Sequence, residues 1–416
     1  MKRSTAADRA AVGDRSGTGW TLAAATYVFA VVMIGTTLPT PLYPRYQVEF
    51  GFGSTQTTLL FSIYAGAVIA ALVFFGRLSE AWGRKPLLAA GVFVSLASAG
   101  LFMGGDHLGL LYTGRVLSGI AAGIFTATGT VAVLENAPPG RRRLATSLAT
   151  AANIGGLGLG NLISGTVAEA LPRPLFTPFL IHAVLLLLAG AALLGVRETS
   201  LSRSHSLLLQ LPAIPPESRP VFLRAVPGAV ASFAIAGLYS AVAPSFMQQT
   251  LGIGSAAVIG AVVFALFGAS AACQLLFQGL ADRTLVLCGG IIQIACMASL
   301  SIALLADSTL LLVASAILGG AGQGFLFTTG MRAITVVTEV SNRTAVTTSY
   351  FILAYLAMSA PIIGVGALAL VTGLVTSTIT FAVVTILVAG ISLLGLGRWS
   401  SQRRGVDGRN QRTCSR

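Results

Sequence analysis

Charged side chains are scarce in this chain of 416 residues, and acidic ones are the scarcest. Only 9% of the residues are charged, with 13 Asp and Glu against 26 Lys and Arg, whereas 55% are hydrophobic. Soluble domains carry about 25% charged residues on average. The composition therefore excludes an ordinary soluble fold and indicates an integral membrane protein.

Residues that commonly carry out catalysis are also few. The four cysteines show no paired or metal-ligand spacing, and the three histidines, His107, His182 and His205, stand far apart. No nucleophile elbow, phosphate-binding loop or metal motif is present. We therefore expect no enzyme, cofactor or metal, and interpret His182 as a satisfied helix histidine rather than a ligand. A non-transporting membrane sensor or membrane enzyme is the remote alternative.

Long apolar runs, in contrast, are abundant. A helix that crosses a bilayer needs about 20 apolar residues, because its backbone must satisfy its own hydrogen bonds in hydrocarbon. The sequence predicts twelve such spans: 20–38, 57–75, 86–104, 108–134, 144–168, 176–196, 221–246, 255–280, 285–305, 310–336, 345–370 and 375–396. This predicts an all-α integral membrane fold.

The spans fall into two sets of six, which predicts two pseudo-symmetric six-helix bundles. Only the proline- and serine-rich segment at 197–220 is long and polar enough to link two bundles, and it is too short to be a folded domain. The predicted organisation is an N-terminal tail (1–19), a first bundle (20–196), a linker (197–220), a second bundle (221–397) and a basic tail (398–416).

Basic residues are distributed by side of the membrane. With the N-terminus inside, 23 of the 26 Lys and Arg fall in inner segments, whereas Arg45 and Arg173 are the only ones in outer loops. This asymmetry predicts that both termini are cytoplasmic. It also accounts for the net charge of +13 without a nucleic-acid partner. We expect a multi-pass protein of the cell inner membrane, in contact with the lipid bilayer and monomeric.

The segment between spans 2 and 3 reads GRLSEAWGRKPLL over residues 76–88. It resembles the loop 2-3 signature of the major facilitator superfamily of membrane transporters. The positions that carry the resemblance are Gly76, Leu78, Ser79, Gly83, Arg84 and Lys85. Glu80 stands where that family usually has Asp, and Ala81 where it usually has a basic residue.

The resemblance implies an inner gate. In family members the loop 2-3 arginine pairs with an acid at the end of span 4, which would place Arg84 beside Glu135. The loop 2-3 carboxylate caps span 11, so Glu80 would face the backbone near residues 346–349, where a carboxylate is favoured by about 0.3 to 1 kcal/mol. A set of solvated loop charges is the alternative. Between spans 8 and 9, Asp282 and Arg283 echo the opening of the same motif.

Arg115 lies inside span 4. An arginine at membrane depth costs about 2.5 to 3.5 kcal/mol on insertion scales, so it must face the bundle interior or a wet cavity. The spacing Arg115, Ser118, Gly119 resembles the superfamily's span 4 motif, whose arginine is implicated in proton coupling. The alternative is that Arg115 snorkels to the interface or pairs with Asp106 or a carbonyl.

Span 5 contains small residues every three or four positions, which let two helices approach closely. The run resembles the span 5 signature of drug:proton antiporters, although its proline is replaced by Asn161 and one closing glycine by Ser164. The predicted helix-packing residues are Gly156, Gly160, Asn161 and Gly165. A dinucleotide-binding interpretation is excluded, because the run lies wholly within an apolar helix.

Polar and aromatic groups at mid-span are the candidates for contact with a substrate, although each has packing as an alternative. They are Tyr27, Tyr64, Asn153, Tyr239, Gln274, Gln323, Tyr350 and Tyr355. The segment from Thr40 to Pro44 is predicted to end span 1 and to shape an outer gate. No acidic residue lies at mid-membrane, which argues against a simple copy of the drug:proton antiporter mechanism.

Together these features predict a secondary active transporter that works by alternating access. The first hypothesis is proton-driven efflux of small, partly apolar organic molecules, with a small-molecule substrate and protons as partners. The second is an uptake permease or uniporter for a small neutral metabolite.

Overall fold

A computed structural model describes residues 17–76, 78–105, 107–200, 212–339 and 342–394; within these ranges it does not describe the side chains of Glu80 and Leu394. No strand is assigned in these ranges. Sixteen α-helices run through them: α1 (Gly19–Thr37), α2 (Tyr43–Phe50), α3 (Ser54–Phe75), α4 (Leu78–Ala81), α5 (Arg84–Met103), α6 (Leu108–Glu135), α7 (Arg142–Thr150), α8 (Gly156–Ala170), α9 (Thr177–Ala192), α10 (Arg219–Ala241), α11 (Ala243–Gln249), α12 (Ala256–Leu276), α13 (Asp282–Leu305), α14 (Thr309–Val337), α15 (Arg343–Thr372) and α16 (Leu374–Leu394).

Eleven helical stretches in the described residues are long and apolar enough to cross a membrane. The predicted span at 144–168 is not among them, because it is divided into α7, a π-helical segment (Ala151–Gly155) and α8. The backbone stays in the right-handed helical region at both joints, Ala151 and Gly156. The chain is therefore a multi-pass helical membrane protein, and the count of twelve stays a prediction.

A second, shorter helix follows α1 at the predicted outer end. A 3₁₀ turn (Thr40–Leu42) leads directly into α2, which ends at Gly51 in the left-handed conformation (φ 64°). Pro41 and Pro44 each lie in the first turn of their element, where a missing N–H leaves no hydrogen bond unmade. The predicted terminator thus starts a second helix, and this helix brings Tyr43 back over the bundle.

Each half of the chain packs mainly against itself. In the first half α3 and α5 pack on α6, while α1 packs on α6, α8 and α9; in the second half α14 packs on α10, α12 and α13. The predicted tails, 1–19 and 398–416, lie mostly or wholly outside the described residues, as do residues 201–211 of the linker. The predicted domain boundaries therefore stay predictions.

Two helix pairs join the halves: α8 packs on α12, and α3 packs on α15. Between these pairs the helices surround a central space to which both halves contribute. Gln47 on α2 and Gln249 at the end of α11 lie at the predicted outer end of the bundles, whereas Gly83, just before α5, and Glu135 at the end of α6 lie at the predicted inner end.

Candidate transport cavity and gating clusters

A small cavity of about 40 Å³ lies at mid-depth between the two halves. A drug-sized ligand needs a site of about 300 to 1,000 Å³. The structure therefore shows a closed conformation, and the halves must separate before the cavity admits an organic molecule. A larger groove of about 480 Å³, which Arg219, Phe222 and Leu353 line, lies between the end of the linker and the second half and does not connect the bundles.

The cavity lining combines hydroxyl and amide groups with aromatic and aliphatic ones, and none of its described residues is charged. The polar members are Thr36, Thr37, Thr40, Tyr64, Thr126, Asn153, Ser240, Gln323 and Tyr355, and the apolar ones are Phe61, Ile154, Leu157, Phe233, Phe267, Phe327, Phe351 and Met358. The buried polar atoms of the lining include Ser240 Oγ and Gln323 Oε1, which have no hydrogen-bond partner among the described residues. Buried orphaned oxygens of this kind favour a bound hydrogen-bond donor.

Four of the eight predicted substrate residues line this cavity: Tyr64, Asn153, Gln323 and Tyr355. Asn153 lies on the π-helical segment, a local widening that often occurs at functional sites. On the predicted inner side, Phe327 packs against Phe233 and Phe351 with ring centroids 5.6 and 5.8 Å apart.

The other four predicted residues are used for packing. Tyr27 donates a hydrogen bond to the Leu185 carbonyl (3.3 Å), Tyr239 bonds the Ser315 hydroxyl, and Gln274 donates to Ser270 Oγ (3.1 Å). Tyr350 packs on Phe222 and Phe327. None of these four lines the central cavity. The position of a residue along its span does not separate these four from the four that line the cavity, because a helix at mid-membrane also presents polar groups to its own bundle.

Arg115 is fully buried on α6, with a relative exposure of 1%. Its Nη1 donates to the main-chain oxygen of Thr36 (2.8 Å) and its Nη2 to the hydroxyl of Tyr43. The guanidinium also lies over the rings of Tyr43 and Tyr64, 5.2 and 5.5 Å from their centroids. The snorkelling alternative is therefore wrong for this conformation, whereas pairing with a carbonyl is present. Asp106 lies outside the described residues.

Glycines of α8 make the closest approach between helices in this part of the fold. A Cβ at Gly160 would lie 2.2 Å from the Ile34 oxygen of α1, and one at Gly156 would lie 2.8 Å from Met33 Cβ. On the other face, a Cβ at Gly165 would lie 2.3 Å from the Ala256 oxygen of α12. The predicted packing run thus joins α8 both to its own bundle and to the opposite half.

Asn161, in the position of the missing proline, belongs to the same seam. It is fully buried, and its Nδ2 donates to the Leu157 oxygen one turn earlier (2.8 Å). A Cβ at Gly260 of α12 would lie 2.3 Å from the Asn161 main-chain oxygen. A glycine from the second half, which the sequence did not single out, therefore completes this contact.

Polar contacts tie the two halves together at the predicted outer end. Gln47 Nε2 donates to Thr57 Oγ1 (2.8 Å) and to Ser245 Oγ (2.7 Å) of the second half. Glu169 accepts from the first main-chain N–H of α12, that of Ala256 (3.1 Å), and forms a half-exposed ion pair with Arg45. Together with the glycine seam, these contacts hold the outer end closed.

The loop 2-3 cluster lies at the predicted inner end. Arg84 Nε lies 3.4 Å from Glu135 Oε2, so the pair that the resemblance implies is in contact. Arg84 also donates to the Ser79 hydroxyl, and Glu135 accepts from the Thr199 hydroxyl. Gly76 ends α3, and Lys85 Nζ donates to the Leu194 carbonyl (3.1 Å). The side chain of Glu80 is outside the description, so its predicted contact with the start of α15 stays a prediction.

Sequence reasoning missed Glu198, which binds the first turn of α5. Its carboxylate accepts from the main-chain N–H groups of Arg84 (2.8 Å) and Lys85 (3.0 Å). Burial raises the pKa of Glu198, but N–H donation by Ser200, Arg84, Lys85 and Thr199 outweighs it, and the net effect is a lowered pKa.

Gly83 makes room for that carboxylate. Its φ of 106° disfavours any side chain, and a Cβ there would lie 2.5 Å from Glu198 Oε2. One sequence feature could have indicated this contact: Glu198 is an acidic residue directly after the last span of the first half.

The second half carries a related contact with reversed charges. Asp282 Oδ1 at the start of α13 lies 3.6 Å from Nη1 of Arg332 near the end of α14, and Arg332 also donates to the Gln278 carbonyl (2.9 Å). In the first half a base begins α5 and an acid ends α6; in the second half an acid begins α13 and a base lies near the end of α14. Arg283 is exposed. Of the predicted pair, Asp282 therefore takes part, with a partner that the sequence did not indicate.

A sequence model described as Major Facilitator Superfamily matches residues 25–361 of this chain. The chain belongs to the Major Facilitator Superfamily. Among solved structures, this chain resembles a crystal structure of the peptide transporter POT, with a TM-score of 0.75 over 94% of this chain and 98% of that one. Identity there is 13%, so this likeness shows the fold alone.

Two groups of relatives also match parts of this chain. A probable quinate permease of Aspergillus fumigatus is 38% identical over 177 residues, which are 39% of this chain and 31% of the relative. The multidrug resistance protein MdtL of Salmonella paratyphi C is 31% identical over 80 residues, 19% of this chain and 20% of the relative. The chain thus spans about a third or less of the length of these relatives.

Proposed function

We propose that this transporter exports small, uncharged, partly apolar organic molecules, driven by the proton gradient. The observation that carries the substrate class is the chemistry of the central cavity. Its polar lining offers hydroxyls and amides but no charge, and Ser240 Oγ and Gln323 Oε1 are buried there without a partner. An ionic substrate would lose its hydration in this cavity without gaining an opposite charge.

The closed outer end supports alternating access as the mechanism. Contacts of Gln47 with Ser245 and of Glu169 with Ala256 join the halves there, and the cavity between the halves has collapsed. Rocking of the bundles would break these contacts and expand the cavity. The Arg84–Glu135 cluster at the other end would then form part of the inner gate.

Export and proton coupling rest on two further features. The partial likeness to MdtL supports export. A buried arginine supports coupling, because its fixed charge disfavours protonation of groups close to it. We also propose that the protein is a monomer of the inner membrane with both termini inside. A periplasmic signal from a reporter fused after Arg143, or a cytoplasmic one after Gln249, would refute this orientation.

Uptake of a hydroxylated metabolite is the second candidate, favoured by the partial likeness to quinate permeases. Quinate is a hydroxylated carboxylate, so it requires a positive partner in the cavity. Arg115 is not part of the cavity lining, and its Nη1 and Nη2 donate to the Thr36 main-chain oxygen and the Tyr43 hydroxyl instead. A neutral molecule therefore fits the observed lining better.

Flux into proteoliposomes tests both candidates. Purified protein is reconstituted, and uptake of radiolabelled chloramphenicol (neutral), quinate (anionic) and ethidium (cationic) is measured with and without an imposed pH gradient. We expect the neutral probe to be transported and to accumulate only with the gradient. Quinate uptake that exceeds that of the neutral probe would establish the second candidate, and transport that ignores the gradient would exclude proton coupling.

A further inference from the structure

A second, small polar pocket lies inside the first bundle, on the other side of α1 from the central cavity. It measures about 10 Å³, enough for one water molecule. Its polar lining consists of Thr36, Ser95, Ser98, Ser118 and His182, and the stacked rings of Phe102 and Phe179, 4.8 Å apart, form an apolar wall. Four helices, α1, α5, α6 and α9, meet here.

His182 in this pocket is more than a histidine satisfied by its own helix. It is 3% exposed, and its Nε2 lies 3.0 Å from the Val31 carbonyl of α1. Since a carbonyl only accepts, Nε2 must carry the proton, and Nδ1 is then the basic nitrogen of the neutral ring. Gly35 makes room for the ring, because a Cβ there would lie 2.1 Å from the His182 Cε1 atom.

The pocket also contains a hydroxyl that lacks a partner. Ser118 is buried, and its Oγ has no hydrogen-bond partner among the described residues, while the Ser98 hydroxyl donates to the Gly114 carbonyl (2.8 Å). A buried hydroxyl without a partner costs about 1 to 3 kcal/mol. One water molecule in the pocket would satisfy Ser118 and at the same time reach the basic nitrogen of His182.

Thr36 connects this pocket to the transport machinery. It lines both the pocket and the central cavity, and its carbonyl is the acceptor for Arg115. A charge that appears on His182 therefore arises next to the segment that holds the guanidinium. Two positive charges with no acid between them among the described residues would repel each other, which links the protonation of one group to the position of the other.

The ionisable groups on the surrounding helices leave His182 as the titratable member of the pocket. The helices packed on α9 are α1, α5 and α8, and α6 packs behind them. Their described ionisable residues are Tyr27 on α1, Arg84 and Lys85 on α5, Glu169 on α8, and Tyr112, Arg115 and Glu135 on α6. None of these side chains lines the pocket.

We propose that this pocket is a hydrated proton-binding site, in which water bridges Ser118 to Nδ1 of His182, and that uptake of a proton at Nδ1 is coupled to transport through Gly35 and Thr36. The site itself stands on the pocket geometry, whereas its coupling role rests on the proposed proton-driven function. His182 would then be the titratable group for proton coupling, because the sequence places no acidic residue at mid-membrane.

Nitrogen-15 NMR of histidine-labelled protein in nanodiscs tests the site without any substrate. Exchange of His107 and His205 for Gln leaves His182 as the sole labelled ring. We expect the neutral Nε2–H form at high pH, reversible conversion to imidazolium on acidification, and a shifted midpoint in Ser118→Ala. A ring that stays neutral throughout the pH range in which the protein is folded would overturn the proposal, whatever the protein transports.

The coupling role is tested by His182→Gln in proteoliposomes, with chloramphenicol as the probe. Glutamine retains an N–H for the Val31 carbonyl but cannot take up a proton. We expect exchange between labelled and unlabelled probe to persist, and accumulation driven by a pH gradient to fall to the level without a gradient, with His107→Gln unchanged.

Unchanged driven accumulation in His182→Gln would refute the coupling role, and loss of exchange at normal expression would assign His182 to packing alone. Wild-type protein that exchanges the probe but ignores the gradient would refute the proton-driven function itself. In that case the NMR titration still decides whether the pocket binds a proton.

Discussion

Arg115 of α6 donates a hydrogen bond of 2.8 Å to the main-chain oxygen of Thr36 on α1, at the point where α1 passes between the central cavity and the serine-lined pocket. The other terminal nitrogen binds the Tyr43 hydroxyl. One buried cation thus holds the end of α1 and the start of α2 in place. This contact relates the only buried arginine among the described residues to the wall of the transport path.

Arg115→Lys should therefore lose most gradient-driven transport, because one ammonium group cannot reproduce the planar guanidinium that binds two acceptors and stacks on Tyr43 and Tyr64. Arg115→Ala should abolish it while membrane insertion stays near normal, since loss of the buried charge relieves desolvation. Flux per inserted protein is the measurement, with the loop variant Arg173→Ala as control. Full transport by well-expressed Arg115→Ala protein would make the arginine a packing element.

Arg84 and Glu135 should be coupled in function. Single changes to Ala should each reduce transport, and exchange of the two charges should restore it in part. Recovery should be incomplete because Ser79 and Thr199 lose their hydrogen-bond partners in the exchanged variant. The side chains are 13% and 35% exposed, so the effect on stability should be at most about 1 kcal/mol. A double-mutant cycle measures the coupling. Purely additive losses would mean that the two charges act as solvated loop residues.

Glu198 should stabilise the inner end in a pH-dependent way. Its pKa is lowered in the fold, so its contribution is fully present above its ordinary value of about 4.3 and is lost as pH falls through the lowered value. Melting temperatures of wild type and Glu198→Gln should differ at neutral pH and converge in acid. The exposed Glu217→Gln provides the matched control. A difference that persists unchanged in acid would mean that the carboxylate charge is not responsible.

The glycine seam should control closure of the outer end. Gly260→Ala places a methyl group where the Asn161 carbonyl lies, whereas Gly268→Ala on the same helix meets only ordinary contacts beyond 3.7 Å. In a protein without native cysteines, a Thr40→Cys probe should react faster with an impermeant maleimide from outside when Gly260→Ala is present, but not with Gly268→Ala. Equal labelling rates would show that the seam does not set the closed state.

Much of the fold was predictable because a membrane helix is recognisable from the length of its apolar run. The first span was predicted at 20–38 and observed as Gly19–Thr37. The prediction was incomplete where the first span ends, because it did not include the helix that follows. Thr40 to Pro44 leads into a new helix rather than only ending one, since proline is accommodated in a first turn. The π-helical segment at Asn153 had no signal in hydropathy.

The candidate site was predictable where a motif defines geometry and unpredictable where long-range pairing does. The contact of Arg84 with Glu135 follows from the family resemblance and is present. Contacts of Glu198 with the start of α5 and of Gly260 with Asn161 cross long stretches of sequence, and no local pattern indicates them. Tyr64 and Tyr239 look alike in sequence, yet only Tyr64 lines the central cavity.

The measurement that tests the central claim most directly compares two glutamines on neighbouring helices. Gln323 on α14 lines the central cavity with a buried, unpartnered oxygen, whereas Gln274 on α12 lies outside it and bonds Ser270. Flux of the neutral probe into proteoliposomes should fall sharply in Gln323→Ala and stay at the wild-type level in Gln274→Ala, at equal reconstituted amounts. Equal flux in both variants would contradict transport through the cavity between the two halves.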